Sequence, residues 1–223
     1  MKIFSFSGID GAGKSTQISA LYDALSNSGL RVKRLEFWDH VAAFSRWREG
    51  LSYRVFRGDQ GVGSPEQPLV RRDKNVTAWP VTAMRFLLYL ADAINLALIV
   101  RKLKTEKWDA VVFDRYIYDE LANLPLHRRF TVLFAAAVIK IAPRPDAAFF
   151  IDADPETAWK RKPEYPVEFL RRNREAYLIV SESAGAILIS PASVEAIRSA
   201  VIDVARERLS APASELVAVP GAR

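Results

Sequence analysis

The chain has no cysteine and only two histidines, His40 and His127. Without cysteine there is no disulfide scaffold, no thiolate-bound zinc and no thiol nucleophile. Two histidines make no cluster for a metal. Long apolar runs are scarce as well. The stretch from Phe86 to Val100 carries Asp92 and Asn95, and it falls short of the ~20 apolar residues a membrane span needs. Met1 to Ser7 alternates like a strand and runs straight into a glycine-rich turn, so it does not read as a leader. These features predict a cytoplasmic protein without membrane attachment. The basic residues are dispersed and no aromatic RNA-stacking motif accompanies them, so no stable nucleic-acid partner is expected.

What is present bounds the answer further. The length of 223 residues fits one domain, and half of the residues are hydrophobic, which excludes wholesale disorder. A formal net charge of +6 suits anionic ligands such as phosphates and nucleotides. The most informative stretch is Gly8-Ile9-Asp10-Gly11-Ala12-Gly13-Lys14-Ser15-Thr16, which fits the phosphate-binding pattern G-x-x-x-x-G-K-[ST] at every position. An apolar strand precedes it, and an amphipathic helix follows with Ile18, Leu21, Tyr22 and Leu25 on one face. Glycines let the backbone wrap closely around phosphate oxygens. Backbone N–H groups and the helix N-terminus then face the anion. Lys14 is expected to neutralise the β and γ phosphates of ATP, and Ser15 to ligate Mg²⁺.

A second element is Ala110 to Phe113, a buried parallel strand by composition, which ends in Asp114-Arg115-Tyr116. Asp114 can hold Mg²⁺ through water. Arg115 follows at the carboxyl edge, where ligands bind in open α/β sheets. Taken alone, this is as readily a surface ion pair; beside the phosphate loop it reads as functional. Strands are predicted at 2–7, 31–37, 110–114, 147–151 and 186–189. Helices are predicted at 14–28, 41–57, 79–104, 126–141, 155–162, 167–182 and 192–209. Such alternation predicts an α/β fold, a doubly wound parallel sheet flanked by helices. The expected organisation is one domain over 1–210, with a lid near 159–167, a mobile insertion near 58–77 and a loose tail over 211–223.

The ordered landmarks resemble the thymidylate kinase family of P-loop nucleotide kinases. Phe6 to Gln17 looks like that family's opening motif, with Ser7 where Glu is usual. Asp114-Arg115-Tyr116-Ile117 is similar to its Asp-Arg-Tyr motif, and Asp154 to Arg161 resembles its approach to the lid. Phe169, Arg172, Arg174 and Tyr177 match the spacing F-x-x-R-x-R-x-x-Y beyond the lid. The resemblance implies a sheet of about five strands, ATP with Mg²⁺, and a homodimer built by helix packing. It implies transfer of the ATP γ-phosphoryl group to a nucleoside monophosphate, with dTMP as the expected acceptor. On the same basis Lys14 and Arg161 stabilise the transferring group, Arg115 holds the acceptor phosphate and Asp10 approaches the acceptor sugar. Gly11 resembles the branch whose catalytic cations sit in the lid, and Lys160-Arg161-Lys162 fit it.

The acceptor side departs from the family pattern. On helix 79–104, Tyr89 replaces the aromatic that stacks on the base, Asn95 the base-reading Gln, and Ala93 an Arg that grips the monophosphate. Arg85, Tyr89 and Asp92 fall at i, i+4, i+7 and so share a face. Arg85 is the candidate to supply the missing charge, whereas Asp92 reads more readily as a satisfied core carboxylate. Asp119 sits where Ser is common. Glu36-Phe37-Trp38 ends the second strand in place of R-E-P-G-G, with Phe37 assigned to the acceptor side. A carboxylate there can serve as general base for a hydroxyl acceptor. Two alternatives therefore stand beside the nucleotide kinase: a nucleoside kinase with Glu36 as base, and an ATP-binding module without transfer.

Overall fold

The computed structural model describes residues 1–42 and 79–211. The helix expected at 41–57 beyond residue 42, the insertion at 58–77 and the tail beyond residue 211 lie outside the described residues. Five strands form one sheet in the order β2-β3-β1-β4-β5, every pairing parallel. They are β1 (Lys2–Ser7), β2 (Val32–Glu36), β3 (Ala110–Asp114), β4 (Ala147–Ile151) and β5 (Ile187–Ile189). The helices are α1 (Lys14–Asn27), α2 (Phe37–His40), α3 (Trp79–Thr105), α4 (Ile117–Leu121), α5 (Arg129–Ile141), α6 (Pro155–Arg161), α7 (Val167–Ala184) and α8 (Val194–Ser210).

β1 lies at the centre of the sheet and reads as a nearly continuous buried run because helices cover both faces of it. Phe4, Phe6, Phe113, Phe149 and Phe150 are fully or almost fully buried, and the rings of Phe6 and Phe149 lie 5.0 Å apart. The register sets Phe6 beside Asp114 and Asp114 beside Glu36, so three strands end level with one another. The chain leaves β1 toward β2 and leaves β3 toward β4, on opposite sides of the sheet. The crevice between the carboxyl ends of β1 and β3 is therefore the topological switch point, where α/β sheets bind ligands.

Several elements differ from the sequence expectation. β2 stops at Glu36 rather than at 37, and Phe37 opens the short helix α2. α4 has only five residues, too few to show a 3.6-residue period. α3 also carries more apolar length than expected, since Ala83–Thr105 is long and apolar enough by length and composition to cross a bilayer. Its apparent interruptions are turned inward: Asp92 is fully buried, and the Asn95 amide donates to the Val41 carbonyl at 2.7 Å. Ala93, Leu96, Val100 and Leu103 form its core stripe, while Leu87, Ile94 and Leu98 are exposed. On neighbouring α5, Phe130, Leu133 and Ile141 are exposed too, and Phe86 of α3 packs its ring 5.5 Å from Phe130.

Candidate functional site

The turn from β1 into α1 wraps a cleft of about 410 Å³ at the switch point. Gly8 and Gly11 show why glycine is needed in it. A Cβ on Gly8 would come within 2.4 Å of the Ile151 carbonyl oxygen, and one on Gly11 within 2.2 Å of the Ala158 oxygen. Both also have positive φ, at 139° and 84°. The loop is thereby pressed against β4 on one side and α6 on the other. α1 begins without a side-chain cap and without acidic residues in its first turn, so its N–H groups remain open to an anion. Ser15 and Thr16 are exposed at that end and line the cleft.

Lys14 is almost fully buried, and its ammonium donates to the carbonyls of Gly8 and Ile9 at 2.8 Å each. Burial, then the nearby Arg115 guanidinium, lowers its pKa to about 8; Asp10 pulls the other way. The charge is thus held in its own loop, poised beside the cleft.

Arg115 faces Lys14 across the crevice. Its φ of 66° is unusual for a bulky residue. One terminal nitrogen of its guanidinium is paired with Asp10, and the other donates to Asp119 at 3.2 Å. Burial disfavours its charge most, yet the Asp10 and Asp119 carboxylates outweigh burial and raise its pKa further. Asp119 also accepts from the Ser7 hydroxyl at 2.7 Å, from the Tyr116 N–H at 3.0 Å and from the Tyr177 hydroxyl at 2.8 Å. Ser7 and Asp119 were separate departures from the family pattern in the sequence; here they touch.

The remaining wall comes from β2 and α6. Asp114 lines the cleft and is paired with Arg34 at 3.0 Å. The Glu36 carboxylate is exposed at the cleft, 3.9 Å from the same guanidinium. α6 is capped by Asp154, which accepts from the Thr157 N–H at 2.9 Å, and Pro155 fills its first turn. Arg161 ends α6 on the cleft and carries no ion pair among the described residues. α7 braces α6 and the end of β4: Arg171 pairs with Glu156 of α6, and Arg174 grips Asp152, just after β4, with two hydrogen bonds of 2.6 and 2.7 Å.

The structure thus brings Asp10, Gly11, Gly13, Lys14, Ser15, Thr16, Glu36, Asp114, Arg115 and Arg161 to one cleft. Gly8, Ile9 and Ala12 shape the loop behind it, and Ile9 and Ala12 are buried. Phe37 is a correction: it is fully buried, and Trp38, next in sequence, lines the cleft instead. The cause is the end of β2 at Glu36, where strand alternation gives way to α2. The Asn95 amide nitrogen donates to the Val41 carbonyl. Tyr89 and Asp92 are buried on α3, and Arg85 is half-buried there. Asp119, given no site role from the sequence, joins Arg115 to Tyr177 just behind the cleft. The i, i+4 spacing of Arg115 and Asp119 was a visible signal for it, once α4 is known to be a helix.

The family model for thymidylate kinase matches residues 73–198, a stretch that begins after the phosphate loop. The probable thymidylate kinase of Methanosphaera stadtmanae is 26% identical over 181 residues, covering 77% of this chain and 79% of its own. That of Methanocaldococcus jannaschii is 27% identical over 204 residues, covering 88% and 92%. In fold, the chain is similar to the crystal structure of thymidylate kinase from Ehrlichia chaffeensis. The TM-score is 0.57 at 18% identity, over 92% of this chain and 98% of that one.

Proposed function

The chain belongs to the thymidylate kinase family, and from that premise we propose that it transfers the ATP γ-phosphoryl group to a nucleoside monophosphate, dTMP. The observation that carries the reading is the meeting of Lys14, Ser15, Asp114, Arg115 and Arg161 on one cleft. These residues come from separate parts of the chain and match the needs of phosphoryl transfer, which are positioning and cations rather than covalent chemistry.

In this reading the open N–H groups of α1 hold the ATP phosphates. Lys14 exchanges its carbonyl partners for the β and γ oxygens. Mg²⁺ would supply charge neutralisation to the ATP phosphates, and Ser15, with Asp114 through water, are the residues that would hold it. Among the described residues there is no cluster of three acidic or histidine side chains. Arg115 holds the acceptor phosphate in line, and Arg161 brings a further cation as charge spreads over the transferring group. An acceptor phosphate oxygen attacks the γ phosphorus, the bond to the β-phosphate oxygen breaks, and ADP departs. The acceptor is already anionic, so no base is required and Glu36 stays outside the chemistry.

The reading includes a cytoplasmic enzyme that pairs two copies through the exposed apolar face of α3 and α5. A soluble partner surface accounts for the exposed Leu87, Leu98 and Leu133. The test of the activity is ADP release from Mg-ATP with dTMP, with thymidine and with neither. Stimulation by dTMP alone is expected. Stimulation by thymidine alone would move the chemistry to a hydroxyl acceptor with Glu36 as base, and stimulation by neither would leave ATP binding only.

A further inference from the structure

We propose that Asp119 and Tyr177 are positioning residues for Arg115, a buried hub that fixes the guanidinium so that its remaining N–H groups meet the acceptor phosphate. The proposal rests on the acceptor role given to Arg115 above. Asp119 is 2% exposed, and its two carboxylate oxygens receive four donors. Those donors come from β1 (Ser7), from the turn after β3 (Arg115 and the Tyr116 N–H) and from α7 (Tyr177). A buried carboxylate satisfied on all sides cannot turn without leaving several groups unpaired, so it makes a rigid anchor.

Arg115 needs such an anchor. Its backbone sits at a positive φ that persists only where surroundings over-determine it. Its side chain is held at both terminal nitrogens, by Asp10 and by Asp119. A guanidinium fixed this way has little left to lose on binding a phosphate, because its planar fork is already oriented. Ser7 and Tyr177 both donate into the Asp119 charge, which tempers its repulsion of an incoming anion. Tyr177 is well suited to that task, since burial and then Asp119 keep its hydroxyl protonated. α7 also carries Arg171 and Arg174, so the helix that braces α6 and the end of β4 is the helix that braces Arg115.

The experiment compares wild type with Asp119→Ser, Tyr177→Phe and the exchange variant Ser7→Glu/Asp119→Ser. The readouts are KM for dTMP, KM for ATP, kcat, and rotation of the Arg115 guanidinium in the ligand-free protein by NMR. Asp119→Ser is expected to raise KM for dTMP about tenfold or more, the scale of one hydrogen bond to a charged group. KM for ATP should stay within about twofold. The exchange variant returns a carboxylate to the contact and should recover most of the loss. Tyr177→Phe deletes one oxygen, keeps the fold testable if Asp119→Ser does not fold, and should move KM for dTMP in the same direction. Guanidinium rotation should be slow in wild type and faster in both single variants. Equal rises in both KM values, or rotation unchanged in the variants, would overturn the proposal. A wild type without dTMP-dependent turnover would defeat the proposed function, while the NMR readout would still decide the hub.

Discussion

The backbone of Gly11 lies so close to the carbonyl of Ala158 that a Cβ would sit 2.2 Å from that oxygen. The turn after β1 and helix α6 therefore share a wall with no room for a side chain. Gly11→Ala must push α6 away or bend the loop, and it must also hold alanine at a φ of 84°. A left-handed alanine alone costs roughly 1–2 kcal/mol. The expected result is a lower melting temperature together with at least a tenfold fall in turnover, measured by thermal denaturation and ADP release. Unchanged values for both would mean that α6 does not rest on the loop in solution.

Lys14 gives a pH dependence with a definite sign. With its pKa lowered to about 8, the ligand-free protein sheds this proton as pH rises past that value. ATP needs the ammonium charged, so binding above that pH must take up a proton. Apparent ATP affinity should thus fall above about pH 8, by up to ~tenfold per pH unit in the limit. Calorimetry in buffers of different ionisation enthalpy reads the proton uptake directly. Lys14→Met should bind ATP weakly with a flat profile over the same range. A flat wild-type profile would contradict the buried, depressed ammonium.

Arg161 ends α6 on the cleft, with no competing carboxylate among the described residues. A cation of this kind is most useful when charge develops on the transferring group. Arg161→Ala is expected to lower kcat by roughly 10²–10³-fold while ATP affinity changes little. Stopped-flow ATP binding and steady-state turnover separate the two. A loss confined to ATP affinity would assign Arg161 to ground-state binding instead.

The apolar face of α3 and α5 exposes Leu98 at 60% and Leu133 at 69%. If a second copy covers them, light scattering should give twice the mass of one chain. Leu98→Asp with Leu133→Asp should then return the single-chain mass without loss of helix content. A wild type that scatters as one chain would remove the dimer.

Much of the fold was legible because its signals are local. Strand–turn–helix order around residues 8–16 and the apolar run Ala110 to Phe113 each state their role within a few residues. What escaped notice depends on contacts between distant parts of the chain. Ser7 and Asp119 lie 112 residues apart, and Asp119 and Tyr177 lie 58 apart, so no periodicity joins them. The exchange of Phe37 for Trp38 at the cleft follows from where β2 ends, and strand ends are the least readable feature of a pattern. The contact of Asn95 with Val41 likewise joins residues 54 apart.

The most direct test of the central claim supplies γ-labelled ATP with an equimolar mixture of dTMP and thymidine and identifies the labelled nucleotide. The geometry of Lys14, Arg115 and Arg161 calls for label in dTDP, carried on its terminal phosphate. Label in dTMP would show a hydroxyl acceptor and contradict the assignment of Arg115 to an acceptor phosphate.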